Sequence, residues 1–172
     1  MRGKAELAAA THPCYATRMQ SRFPIRQAGP ADATAIDTLT QAAYAKWVPI
    51  IGRKPMPMTA DYARAVVEHR IEVVELGGRL AALAELSVEP DHLLIVNLAV
   101  APEHQKQGLG SALLHHADAV AGQLGLAEVR LYTNSLMAEN IALYQRHGYG
   151  VDRIEERSPQ WSVVFMSKRL GG

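Results

Sequence analysis

The sequence predicts a single domain of mixed α/β class, and three observations carry that prediction. Strand-like and helix-like apolar periods follow one another in the order β-α-α-β-β-β-α-β-α-β-β. One run, His92 to Val100 (HLLIVNLAV), is almost continuously apolar, as expected of a strand buried on both faces. That run leaves through a polar loop into a helix whose beginning carries two glycines (VAPEHQKQGLGSALLHHA, Val100 to Ala117). Glycine costs about 1 kcal/mol against alanine inside a helix, so these two answer to backbone shape or to something that approaches closely.

Taken in order, residues 1–20 show no strong period and are expected to form a flexible N-terminal tail, with Met19 near the start of a domain spanning 21–170. Phe23–Gly29 reads as a short strand. A helix follows, with Pro30 and Asp32 suited to its first turn and Ile36, Leu39, Ala43 and Trp47 at helical spacing. Val48–Met58 holds three prolines and is expected to be irregular. Thr59 or Asp61 then caps a second helix (TADYARAVVEHR). IEVVEL and RLAALAELSVE form a hairpin across Gly77-Gly78. The helix after the glycine loop places Leu109, Leu113, Val120 and Leu124 on one side and stops at Gly125. AEVRLYTN is a strand, LMAENIALYQRHGY a helix ending near Gly148, and VDRIEER with WSVVFMSKRL a final hairpin across Ser158-Pro159.

Composition narrows the function classes. A formal charge of +1 gives no electrostatic footprint for nucleic acid or an anionic membrane. The single cysteine, Cys14, excludes an intrachain disulfide and a cysteine-based zinc cluster, which fits a cytoplasmic protein. No secretory signal or membrane span is evident. Of the histidines, the adjacent His115 and His116 diverge by about 100 degrees on a helix, and no H-E-x-x-H spacing occurs, so no metal site is expected.

The glycine loop fits neither common nucleotide motif. A P-loop needs Lys-Ser/Thr behind its second glycine, and a dinucleotide fingerprint needs a third glycine where Leu113 stands. What remains is Gln105-x-x-Gly108-x-Gly110 at a helix N-terminus, where free N–H groups favour an anion such as a diphosphate. A tight strand-to-helix connection explains the same residues equally well. Context adds to this. V-x-P-x-x-Q-x-x-G-x-G from Val100, followed by A-L-Y-x-x-x-G-Y from Ala142, resembles the GNAT superfamily of N-acetyltransferases over about residues 22–170. The resemblance implies a central, mostly antiparallel mixed sheet flanked by helices, and acetyl-CoA as cosubstrate. It implies that Gln105, Lys106, Gln107, Gly108, Leu109, Gly110 and Ser111 hold the diphosphate of CoA, and that Leu98, Ala99 and Val100 offer backbone groups to its pantetheine arm. By the same resemblance, Asn140 contacts CoA and Tyr144 hydrogen-bonds the departing sulfur. This chain departs from the family pattern at Met137 and Asn140, where many members carry Asn and Ala.

The proton acceptor is left open by the sequence. An amine of pKa near 10.4 is about one part in 2,500 neutral at pH 7, so a base is useful. Many related enzymes carry a carboxylate on the strand before the loop, where this chain has Val96 and Asn97. Asn97 is a candidate to position an amine or water, or a buried side chain bonded to its neighbours. Glu85, Glu89 and Asn134 are further candidates for the cleft. Residues 44–62, with Asp61 and Tyr62, are expected to wall the acceptor. The expected function is transfer of acetyl from acetyl-CoA to a primary amine of a small molecule or peptide, by direct attack in a ternary complex. A CoA-binding regulatory module without transfer activity is the alternative, and a domain with no ligand is a third reading. The resemblance is also consistent with a homodimer.

Overall fold

The structure is a computed structural model that describes residues 22–171, so the expected tail over 1–20 lies outside the described residues. Its strands are β1 (Ile25–Gln27), β2 (Arg70–Leu76), β3 (Arg79–Val88), β4 (Leu93–Val100), β5 (Glu128–Asn134), β6 (Gly150–Ser158) and β7 (Trp161–Arg169). They form one sheet in the order β1-β2-β3-β4-β5-β7-β6. Each neighbouring pair is antiparallel except β4 with β5, which run parallel. The helices are α1 (Ala33–Tyr44), α2 (Val48–Ile51), α3 (Tyr62–Glu68), α4 (Leu109–Gln123) and α5 (Ala138–Arg146).

Alternation along the strands divides the core into two layers. Val73 and Leu83 pack with Ile36, Leu39, Tyr62 and Val66 of α1 and α3. Their neighbours Val74, Ala82 and Ala84 point the other way and pack with Leu109, Leu113, Ala117 and Val120 of α4. The α4 crossover joins the two parallel strands, as a parallel connection requires.

One irregularity positions everything that follows. Leu86 pairs with Ile95 but Glu85 pairs with Asn97, so Val96 is an extra residue in β4. A bulge of this kind bends its strand and reverses which face later side chains occupy. Ile95 accordingly packs in the α4 layer, whereas Ala99 packs in the α1 and α3 layer. Past the bulge β4 also parts from β5: their ladder holds only Leu93–Ile95 against Val129–Leu131.

Three expectations need correction. Val48–Met58 is partly regular, with α2 at Val48–Ile51 and a 3-10 turn at Met56–Thr59. Pro49 and Pro57 sit in first turns, where the missing N–H costs nothing, and Gly52 ends α2 at a φ of 78°. β4 is not buried on both faces, because Leu94, Val96, Leu98 and Val100 are only half-buried, the last two along the parting. Leu124 follows the phase of its stripe but stands past the end of α4 and is 47% exposed.

Asp61 is the N-cap of α3, its Oδ1 accepting from the N–H groups of Ala63 and Arg64 at 3.1 and 3.3 Å. Asp61→Ala should lower stability by about 1 kcal/mol in urea titration, whereas Asp61→Ser should lose much less.

Candidate active site

The parting of β4 and β5 opens two cavities, one toward α4 and α5 and one toward the β6–β7 hairpin. The first is about 610 Å³ and is lined by Leu98, Ala99 and Val100, by the loop into α4, and by α5. Ala101 donates its N–H to Ala81 of the β3 side. By alternation Leu98 and Val100 then turn their backbone groups toward the parting. Side chains approach their carbonyls instead: Tyr44 Oη, whose proton goes to Asn97, lies 3.3 Å from Leu98 O, and Gln105 Nε2 donates to Val100 O at 3.1 Å.

The loop presents donors to the same cavity. Among the described residues none accepts the backbone N–H groups of Gln107, Gly108, Leu109, Gly110 or Ser111. Lys106 and Gly108 have φ of 61° and 92°, a left-handed alternation that gathers successive N–H groups into an anion-binding concavity. The two glycines have different reasons. A Cβ on Gly108 would meet nothing within 4 Å, so its φ is what demands glycine. A Cβ on Gly110 would stand 3.3 Å from Leu143 Cδ2, tighter than an ordinary contact, so glycine there suits the close packing of α4 on α5. Lys106 and Arg146 add positive charge to the lining, and Lys46 crosses to Glu139 of α5 at 2.8 Å. Gln107 lies outside the lining, its Nε2 donating to Glu103 O at 3.1 Å.

The second cavity, about 550 Å³, runs between the segment after α2 and the β6–β7 hairpin. Tyr44, Leu98, Asn140 and Tyr144 line both cavities and so mark where they meet. Tyr144 is 6% exposed, and no hydrogen-bond partner of its hydroxyl occurs among the described residues. Burial pushes that hydroxyl well above the usual phenol range, so it keeps its proton and acts as a donor. Asn134 lines the second cavity with its Oδ1 accepting from Leu136 N–H at 2.9 Å.

Asn97 and its neighbours form a buried chain. Tyr44 Oη donates to Asn97 Oδ1 at 2.9 Å, Asn97 Nδ2 to Tyr62 Oη at 3.1 Å, and Tyr62 Oη to Pro57 O at 2.8 Å. Asn97 thus ties α1, α3 and the proline segment to β4. Burial and the nearby Glu85 carboxylate both push Tyr62 upward, to about 12. Asp61 and Tyr62, expected at the acceptor, line neither cavity; one caps α3 and the other closes this chain. Glu89 is also outside both linings, and it accepts from Ser87 Oγ at 2.7 Å.

Glu85, opposite Asn97 on β3, does line the second cavity. It is 3% exposed and its Oε1 lies 2.6 Å from Nδ1 of His69, a ring whose side chain is 31% exposed. Sequence reasoning placed Tyr44 only within the 44–62 wall, not at the junction of the cavities, and missed Arg146. His115 and His116 do diverge: one ring meets His147 edge-on, the other approaches Glu72. Among the described residues no group of three metal-ligating side chains occurs.

The profile of the acetyltransferase (GNAT) family matches residues 36–149. The chain belongs to the GNAT family. A 72-residue stretch is 39% identical to the ribosomal protein bS18-alanine N-acetyltransferase of Escherichia coli, covering 42% of this chain and 49% of that enzyme. The chain therefore spans about half the length of the curated relatives it matches. The solved structure of the E. coli S18-alanine N-acetyltransferase superposes with a TM-score of 0.72 at 25% identity, over 87% of this chain and 96% of that one. PaiA N-acetyltransferase from Thermoplasma acidophilum, solved with coenzyme A, superposes at 0.69 and 17% identity over 86% and 99%. Like these GNAT proteins, the chain has a mostly antiparallel sheet flanked by helices.

Two outcomes test this geometry. Asn97→Ala leaves the Tyr44 and Tyr62 hydroxyls short of a partner and should cost about 2 kcal/mol in chemical denaturation. His147, whose Nε2 lies 2.9 Å from Ser111 Oγ, has a pKa lowered by burial and by nearby His115 and Lys168. The stability contributed by its neutral ring is full above the ordinary value of 6.5 and is lost as pH falls through the lowered one. Melting temperature should therefore fall on the acid side of neutrality, and less so in His147→Gln.

Proposed function

We propose that this chain transfers an acetyl group from acetyl-CoA to a primary amine by direct attack in a ternary complex. The observation that carries the reading is that two cavities enter the parted strands from opposite sides and meet at Tyr144. A module that only bound CoA would have no use for the second cavity. The E. coli relative, named for alanine N-acetylation of a ribosomal protein, supports an amine acceptor and makes a peptide amine one candidate.

Acetyl-CoA, when bound, supplies an activated acetyl thioester. The N–H groups of Gln107–Ser111, with Lys106 and Arg146, fit its phosphates, which the helix end and the positive charge both favour. Leu98 and Val100 turn backbone donors toward the parting, where they hold the pantetheine arm and polarise the acetyl carbonyl. Asn140 lines the same junction. Tyr144 stabilises the departing sulfur by donating a hydrogen bond; its raised pKa makes full proton transfer more unfavourable than for an exposed phenol. Asn97 acts as a positioning residue through Tyr44, whose hydroxyl it holds at the junction. Glu85 accepts the proton lost by the amine, directly or through a water, and His69 passes it toward solvent. Asn134 bounds the acceptor side.

Acetyl-CoA at 100 times its dissociation constant should raise stability by about 2.7 kcal/mol, read as a melting shift that ATP and NAD do not give. Absence of that shift at millimolar ligand would remove the cofactor assignment. Tyr144→Phe should lower kcat roughly 100-fold while leaving acetyl-CoA affinity nearly intact. Glu85→Gln should lower the rate at neutral pH by roughly 10- to 100-fold, with the deficit shrinking as pH approaches the amine's own pKa. Unchanged turnover in either variant would strip that residue of its role.

A further inference from the structure

The charges lining the second cavity are segregated. Glu85 is the single acid in the lining, is buried, and stands beside Asn97 near the junction with the cofactor cavity. The two cations, Arg53 and Arg157, are exposed and belong to the segment after α2 and to β6 at the far side. Between them the walls are apolar or aromatic: Met56, Leu131, Tyr132, Met137, Trp161 and Phe165.

The far-side cations are under-neutralised. Among the described residues no carboxylate pairs with Arg53, whose guanidinium instead lies 4.6 Å over the Trp161 ring. Arg157 shares Glu155 with Arg153, at 2.6 and 2.8 Å, so two guanidiniums divide one carboxylate. The neighbouring Glu156 is not part of the lining. Stacking on Trp161 holds Arg53 in place without satisfying its N–H donors, which leaves a planar fork suited to a carboxylate.

We propose that the acceptor is a primary amine joined through an apolar body to a carboxylate, with the amine at Glu85 and the carboxylate at Arg53 and Arg157. This rests on the acetyl-transfer reading above and adds the acceptor class to it. The direction follows from the junction: the amine must reach the end shared with the cofactor cavity, so the anion is left at the exposed end. Three strand steps separate β3 from β7, whose Trp161 carries Arg53, and four separate it from β6, which carries Arg157. At about 4.8 Å per paired step, and with β4 and β5 parted at this level, the nearer cation's strand lies about 14 Å away or more, too far for an amine and carboxylate on one carbon. An extended peptide covers it in about four residues. The required chemistry comes either from a peptide whose N-terminus is followed by an acidic residue at that distance, or from a long ω-amino acid.

The test compares matched acceptors with the purified full chain. One pair is an amidated tetrapeptide ending in glutamate and its glutamine counterpart; the other is a long ω-amino acid and its primary amide. In each pair the ratio of kcat/KM, acid over neutral, is the readout. A ratio of about tenfold is expected for at least one pair, falling toward one in Arg53→Ala and partly recovered in Arg53→Lys. The pair that shows it identifies the source. A ratio near one in both pairs overturns the proposal, as does a ratio that survives the Arg53→Ala, Arg157→Ala double variant. Equal acetylation of acid and neutral acceptors sinks the acceptor class and leaves acetyl transfer standing. No acetylation together with no melting shift from acetyl-CoA sinks both. If acetyl-CoA binds but no member of the panel is turned over, calorimetric titration of the same pairs into CoA-loaded protein reads the ratio as affinities, and equal affinities overturn the proposal.

Discussion

The extra residue at Val96 is the constraint on which the site depends. Without it, β4 would continue its ladder with β5, and the parting lined by Leu98, Ala99 and Val100 would close. The bulge also turns Asn97 from the α4 layer to the α1 and α3 layer, where Tyr44 and Tyr62 meet it. A single inserted residue thus creates the opening and selects which side chains border it. Its local cost, an interrupted ladder, is offset by the antiparallel pairing of Leu98–Val100 with Ala82–Ala84 on the other edge.

The polar chain from Tyr44 through Asn97 and Tyr62 to Pro57 O gives that opening a fixed geometry. Each buried polar atom in it has a partner, which matters in surroundings where an unpartnered one costs about 1–3 kcal/mol. It links the helix that borders the first cavity to the proline segment that borders the second. The two cavities are therefore held in register by this chain of buried side chains.

The strand and helix order was legible in the sequence because hydrophobic period, Gly77-Gly78 and Asp61 all act locally. The loop from Gln105 to Ser111 was legible for the same reason, since its glycines and polar residues are contiguous. The bulge was not, because an inserted residue in HLLIVNLAV leaves the apolar run uninterrupted. Its signature is the change of face between Ile95 and Asn97, which exists only once β3 is beside it. The separate reasons for Gly108 and Gly110 were hidden for a similar cause: one depends on φ, the other on Leu143 arriving from a helix 33 positions later. Asp61 and Tyr62 were expected at the acceptor because they follow the proline segment, but helix capping and the Asn97 chain claim them. Glu85 could be named as a candidate, whereas its pairing with His69 required the register of β2 and β3.

The short ladder between β4 and β5 has a consequence for how the molecule forms. Strands β1 to β4 make one antiparallel group and β5 to β7 another, and the two meet through three residue pairs. Within these groups, hairpins join β2 to β3, β3 to β4 and β6 to β7 across small loops, whereas β1–β2 and β5–β7 pair over longer separations. The seam closes only after the whole of α4 has been accommodated, a longer-range step than closing any of the hairpins. The site is thus assembled at a contact of three residue pairs, as short as the β1–β2 edge and much shorter than the other pairings in the sheet. A ligand that touches both lips acts as a stitch across a seam that the chain itself leaves nearly open, and binding there is coupled to the joining of two half-sheets.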